Sequence, residues 1–220
     1  GIDVLYYCQV DNPLVFMSDP TFIGHHLLAD AQMSVKVVEK TEASEKVGLV
    51  VENNGKVQCI EYSDISAELQ AQTTDDGGLL YRAGNIAVHV YAINFFEEMA
   101  EAHLPLHLAR KTIKALAPGE SIPSDVEGVK FETFVFDALP LADRVVVQLA
   151  DREFEFAPVK NRTGSDSAAT SRAALSARAK QWLSTIDCSC DYSDQQIELS
   201  SSVISGPQDL IYRQQQINDG

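Results

Sequence analysis

The sequence predicts an α/β fold, a sheet flanked by helices. Short apolar runs rich in β-branched and aromatic residues alternate with segments of helical spacing, and no long linker divides them. The 220 residues, 45% of them hydrophobic, suffice to bury one core and leave room for a small appendage.

Residues 2–10 form a run of the kind that fills a buried strand, and it stops abruptly at Asp11-Asn12-Pro13. Ligands of open α/β sheets sit beyond the carboxyl ends of strands, so this polar pair is a candidate site, while Asp-Asn-Pro equally suits a turn. Residues 35–38 predict a second strand. Residues 47–51 and 57–62 flank Asn54-Gly55, which supplies the positive φ angles of a tight hairpin turn. Ser63 and Ser66 offer N-cap hydroxyls for a short helix after Tyr62. Past a loop at residues 75–78, residues 86–93 read as another strand, entered through Gly84, whose missing side chain permits close backbone approach.

Residues 95–103 have helical spacing, and a further helix is expected over residues 105–117, entered at Pro105 and closed near Pro118-Gly119. Residues 129–131 are brief and extended. Residues 133–139 predict a turn or two of helix, with Phe134 and Phe136 on opposing sides. Residues 145–149 are the last sheet strand, and residues 170–183 are Ala- and Arg-rich enough to be a helix. From Cys188 onward the chain is polar and weakly patterned.

The formal net charge of -15 opposes affinity for nucleic acid, because phosphate backbones are held by clustered Lys and Arg. A nucleotide remains an admissible ligand, since one phosphate group needs only a few placed cations, a metal ion or helix-end amides. No apolar run approaches the roughly 20 residues of a membrane helix, and Gly1-Ile2-Asp3 lacks the basic start of a signal peptide. A cytoplasmic protein without a membrane role is therefore expected. The cysteines at 8, 59, 188 and 190 are too few and too irregular for a disulfide framework, and free thiols are expected ahead of a metal site at Cys188 and Cys190.

A set of short blocks then recurs in one order: Val10-Asp11-Asn12, Asp19-Pro20-Thr21-Phe22-Ile23-Gly24, Val37-Val38-Glu39-Lys40-Thr41, Val47-Gly48, Glu61-Tyr62-Ser63 and Ala83-Gly84-Asn85-Ile86. His89, Lys130-Phe131-Glu132, Phe134-Val135-Phe136-Asp137 and Phe156-Ala157-Pro158-Val159-Lys160-Asn161 follow. Through these blocks the chain resembles the eukaryotic UDP-N-acetylhexosamine (UDP-N-acetylglucosamine) pyrophosphorylases, over residues 1–161 and more faintly beyond. The resemblance implies a nucleotidyltransferase-like (Rossmann-like) fold with a mixed, mainly parallel sheet and flanking helices, truncated at the amino end. Residues 1–161 would then be a partial catalytic domain holding the sugar-binding half, and residues 162–220 a loop, a helix and the start of a carboxyl-terminal region.

The implied reaction joins UTP to N-acetylglucosamine 1-phosphate, releasing pyrophosphate, with Mg2+ as cofactor. Such enzymes carry a glycine-rich loop, LxxGxGTRxGxxxPK, upstream of the block around Asp11. Its absence predicts a fragment, a split protein partnered by its own amino-terminal half, or a truncated copy, inactive alone. By resemblance Asp11 is the metal ligand, and Lys130 and Lys160 contact phosphate and offset developing charge. Glu61 and Tyr62 bind the sugar, Gly48 and Gly84 let main chain approach it, Asn85 contacts a hydroxyl or the N-acetyl group, and Phe134 and Phe136 wall the acetyl pocket. His89 matches a family histidine, with a structural role or a substrate contact both open. Arg82, Thr133 and Asp64 depart from the family pattern, and Arg82 would place a charge beside the sugar pocket. Two other readings are a noncatalytic UDP-sugar-binding homologue and a broader UDP-sugar pyrophosphorylase.

Overall fold

Six of the seven residues of β2 (Met33–Glu39) are buried, because the strand lies inside the sheet with a packed layer on each face. The computed structural model describes residues 1–17, 19–116, 118–119, 121–186 and 191–219, with side chains through residue 215. Strand β5 (Ala83–Ala92) pairs with β2 along one edge. Its other edge is shared end to end by β1 (Val4–Tyr7), at Tyr7↔His89 through Val4↔Ala92, and β3 (Leu49–Asn53), at Leu49↔Gly84. Strand β4 (Lys56–Ile60) extends the sheet beyond β3, and β8 (Val145–Leu149) lies on the far side of β2.

Met33, Val35 and Val37 pack on one face with Tyr91, Phe95, Phe136 and Leu139. Val38, Ile86, Val88 and Val90 pack on the other with Phe22 of α1 (Pro20–Leu28). Asp19 caps that helix by accepting from the Thr21 amide at 2.9 Å, and Pro20 follows at the position where a missing N–H costs nothing. The β3–β4 hairpin turns at Asn54 (φ 52°) and Gly55 (φ 76°), as Asn-Gly predicts. Ser66 caps the short α2 (Ala67–Gln70), and Ser167 caps α5 (Ala168–Leu183), two residues longer at its start than its composition suggested.

Several expectations are corrected. The sheet is mixed and flanked by helices, but it is not mainly parallel: β2–β8 is the parallel pair, and the other pairings among the described residues are antiparallel. The mainly parallel sheet was implied by the resemblance; the continuous apolar runs report burial on both faces, which here accompanies antiparallel pairing. The helix expected over residues 105–117 is instead strand β6 (His107–Ala115), and residues 129–131 belong to a longer strand, β7 (Ser124–Glu132), with which it forms a two-stranded ribbon. Leu, Ala, Lys and Arg in β6 favour helix locally, but cross-strand pairing overrides that preference. The helix after β5, α3, spans Ile93–Glu101, and the segment Val135–Leu141 is a 3-10 turn. Past α4 (Arg152–Glu155), the weakly patterned end of the chain holds one more helix, α6 (Pro207–Asp219).

A bulge in β5 positions the pocket described below. Lys36 pairs with Val88, yet Val37 pairs with Asn85, so Ile86 and Ala87 are extruded and Ala87 takes φ 55°. The Asn85 side chain stabilises that kink by accepting from the Ala87 amide at 2.9 Å. The bulge keeps Asn85 on the same sheet face as Val37 while bending the strand there.

Candidate functional site

Two glycines permit the close approach of three strands on which the pocket is built. The Asn85 amide donates to the Gly48 carbonyl at 2.7 Å. A Cβ on Gly48 would stand 2.8 Å from Cys59 Sγ and 3.4 Å from Glu61 Oε1, and one on Gly84 would stand 3.0 Å from Val47 Cγ2 and 3.3 Å from the Val38 carbonyl. Neither position has room for a side chain. Asn85 Nδ2 donates to Cys59 Sγ at 3.4 Å, and burial pushes the Cys59 thiol up to about 12, so it stays protonated. Gly48, Cys59, Glu61 and Asn85 therefore converge. A Gly48→Ala protein is expected to shift Cys59 and Glu61 and to lose about 1–3 kcal/mol of stability, as overpacking at a tight site does; urea titration against wild type measures it.

The aromatic wall packs in the same core cluster as Val57 and Cys59 of β4. Phe134 and Phe136 stack with centroids 4.8 Å apart and planes at 11°. The expectation that they point to opposing sides is thus corrected: Phe134 is extended, the 3-10 turn begins at the next residue, and that change of backbone brings both rings to one side. His107 of β6 packs its ring 4.8 Å from Phe134 and bonds Asp137 through Nε2 at 2.9 Å, while its Nδ1 lies 4.0 Å from Asp64 Oδ2. Burial raises the Glu61 pKa and Asp64 raises it further, whereas His107 and Lys160 pull it down and Asp137 adds a smaller upward push. Lys160, carried on an exposed loop, thus lies within electrostatic reach of Glu61. Tyr62 is 39% exposed, and its carbonyl accepts from Gln70 Nε2 at 3.1 Å.

Asp11 follows the end of β1, and its carbonyl accepts from the Val159 amide at 2.8 Å, so Asp11 and Lys160 are set side by side by the main chain. The Asp11 carboxylate has no ion-pair partner among the described residues and helps to raise the pKa of Tyr7, behind burial and Cys8. Lys130 is not drawn into that pair. It stands on β7 with its side chain 61% exposed, in register with Ala109, and bonds Glu132, the register partner of His107, at 2.5 Å. Arg82, whose charge was expected beside the sugar pocket, is turned to Glu39 at 3.7 Å.

Several contributors carried no separate role at the sequence level, where Asn12 stood only as half of the candidate polar pair with Asp11. Asn12 is 4% exposed: its Nδ2 donates to the Glu155 carbonyl at 2.8 Å, and its Oδ1 accepts from the Ala157 amide at 3.0 Å and the Leu14 amide at 3.4 Å. Lys36 is fully buried and bridges Asp19 at 2.7 Å and Glu155 at 2.5 Å. His107 and Asp137 were likewise unassigned, and no local pattern marks them. His25 and His26 bond Gln148 at 2.9 Å and Ser34 at 2.8 Å. Cys188 and Cys190 lie outside the described residues. Among the described residues no group of three or more His, Cys, Asp or Glu could hold a metal ion, and no helix is long and apolar enough to cross a membrane.

A mixed sheet with helices on its faces, and a cluster of Gly48, Cys59, Glu61 and Asn85 with the stacked Phe134 and Phe136 nearby, define a nucleotidyltransferase-like α/β domain. The family model for UTP--glucose-1-phosphate uridylyltransferase matches residues 1–186, and the chain belongs to that family. It is 39% identical over 189 residues to UDP-N-acetylhexosamine pyrophosphorylase-like protein 1 of Mus musculus, with 83% of this chain and 37% of the relative covered. It is 37% identical over 194 residues to the UDP-N-acetylglucosamine pyrophosphorylase of Saccharomyces cerevisiae, covering 83% and 40% of the two chains. The crystal structure of the uridine diphosphate N-acetylglucosamine pyrophosphorylase from Trypanosoma brucei in complex with inhibitor superposes with a TM-score of 0.80 at 27% identity, over 99% of this chain and 46% of that one. The chain thus spans well under two thirds of the length of these relatives.

Proposed function

We propose that this chain supplies the sugar-binding, lysine-bearing part of a uridylyltransferase that joins UTP and N-acetylglucosamine 1-phosphate into UDP-N-acetylglucosamine, releasing pyrophosphate. The observation that carries this reading is the convergence of Glu61, Asn85 and the glycine backbone at residue 48 in one pocket, with the stacked Phe134 and Phe136 and with Lys160 in electrostatic reach. In this reading a phosphate oxygen of the sugar phosphate attacks the α-phosphorus of UTP. The bond from that phosphorus to the bridging oxygen breaks, and pyrophosphate leaves with the electron pair. The protein's part is positioning and charge neutralisation.

Each residue then has a defined task. Glu61 accepts hydrogen bonds from sugar hydroxyls, Asn85 contacts a hydroxyl or the acetamido group, and the two phenylalanines cover the acetyl methyl. Tyr62 borders the ring, and Lys160, with Lys130 on the ribbon, offsets phosphate charge. Magnesium commonly takes one or two carboxylates plus phosphate oxygens, so the Asp11 carboxylate, which has no ion-pair partner among the described residues, fits it. A bound magnesium ion would neutralise charge on the triphosphate. Residence in the cytosol belongs to the same proposal, supported by free thiols at Cys8 and Cys59.

Calorimetry on the 220-residue chain tests the pocket. UDP-N-acetylglucosamine is expected to bind, and Glu61→Ala and Asn85→Ala are each expected to weaken binding by about tenfold or more, the loss of a hydrogen bond to a polar ligand group. No heat from the wild-type chain, or equal affinities in all three proteins, would refute the assignment. Turnover of UTP by a longer protein containing these residues separates an enzyme from a noncatalytic binder.

A further inference from the structure

Lys36 has no part in the pocket, yet its burial is complete, and it is held by carboxylates that arrive from residues 17 and 119 positions away in the chain. Its ammonium sits 5.4 Å from the centroid of the Phe22 ring, bonded to Asp19 at the start of α1 and to Glu155 at the end of α4. A buried lysine opposed by two carboxylates is a costly way to build a core, since an apolar trio of similar volume is often as stable or more so. Arg178 adds a second cation within reach of Glu155 and donates to the Leu14 and Phe154 carbonyls.

The two tethered segments are those that carry the proposed phosphate machinery. Glu155 gives its side chain to Lys36 and its carbonyl to Asn12, the Ala157 amide donates back to Asn12, and the Val159 amide donates to the Asp11 carbonyl. Asp19 ties the far end of the 11–19 loop to the same ammonium. We propose that Lys36 is a positioning residue, which pegs the Asp11 loop and the Lys160 segment to the central strand and so sets the spacing of the proposed metal carboxylate and phosphate lysine. The inference rests on the function proposed above for its consequence, and on the hydrogen bonds alone for the positioning itself.

The informative variant is the triple Lys36→Met, Asp19→Asn, Glu155→Gln, which removes the charges of the trio together, while Arg178 keeps its bonds to the Leu14 and Phe154 carbonyls. Asparagine at 19 can still cap α1. The triple variant is expected to fold with a Tm near wild type. Its amide hydrogen exchange should quicken by about tenfold or more at Ala157 and Val159, as a locally loosened segment does, with the β3–β4 hairpin amides unchanged. Affinity for UDP-N-acetylglucosamine should fall about tenfold, the lower end of what loss of a supporting residue costs a site.

Unchanged exchange at Ala157 and Val159 overturns the proposal, and so does faster exchange with undiminished affinity. If the wild-type chain binds no UDP-sugar, the functional reading fails, and the exchange measurement still decides the positioning. Should the triple variant not fold, Glu155→Gln alone, which keeps an acceptor for Lys36, is expected to show the same local quickening in smaller measure; wild-type exchange there overturns the proposal equally.

Discussion

An Asn12→Ala protein is expected to lose about 3 kcal/mol of stability in urea titration, from the removal of three hydrogen bonds at a buried site. The side chain is 4% exposed, and alanine leaves the Glu155 carbonyl and the Ala157 and Leu14 amides without the partner they now have. An unsatisfied buried backbone group costs more than the bond itself contributed, so the effect exceeds that of a surface turn. A loss of under 0.5 kcal/mol would show Asn12 to be an ordinary turn residue. The comparison with Asp11 is instructive: Asp11 enters the structure through its carbonyl, leaving its carboxylate free, whereas Asn12 uses up its side chain as a clamp.

The second large effect is a dependence on acid. His89 is fully buried between Tyr7 and Tyr91, with ring centroids 5.7 and 6.0 Å away, and neither ring nitrogen has a hydrogen-bond partner among the described residues. Burial, the larger cause, lowers its pKa from 6.5 to about 3, and the Ser34 backbone acts in the opposite direction. The folded state therefore binds the proton less tightly than the unfolded chain. This contribution to stability is fully present above pH 6.5 and is lost as pH falls from there through about 3.

The slope approaches about 1.4 kcal/mol per pH unit, on the order of 5 kcal/mol across the window. A His89→Leu protein should be no less stable than wild type at pH 7.5, since it deletes two unpartnered polar atoms. Between pH 6 and 4 it should lose about 1.4 kcal/mol less per unit than wild type. Parallel acid limbs in urea titrations would contradict a neutral, unsolvated ring. His26, whose pKa is also lowered by burial, acts in the same direction and is common to both proteins.

The elements legible in the sequence were those whose signal is local. Asn54-Gly55 fixes its turn by backbone sterics, and α5 follows from its Ala- and Arg-rich composition. The ribbon of β6 and β7 was not legible, because neither of its strands alternates cleanly between apolar and polar residues. Leu108, Ile113 and Phe131 are exposed, so no buried face imposed a period of two. For the pocket, the blocks around Glu61, Asn85 and Phe134 lay in sequence, whereas the direction of each side chain depended on a bulge and a 3-10 turn. Lys36 was invisible for a different reason. A lysine within Val-Lys-Val-Val looks like the solvent side of a strand until both sheet faces are known to be covered, and its carboxylates come from distant segments.

The arrangement around β2 also sets an order of events during synthesis. Its partners are β5, more than forty residues downstream, and β8, more than a hundred. The β3–β4 hairpin needs only adjacent residues and closes as soon as it clears the ribosome, while β2 has emerged earlier and waits with its edges unpaired. Loop closure over such spans is slow, and an apolar strand kept waiting is exposed to the wrong neighbours. The lysine at the middle of β2 makes that interval safer, since a charge flanked by valines disfavours sticking to other chains until Glu155 arrives and, with Asp19, buries it.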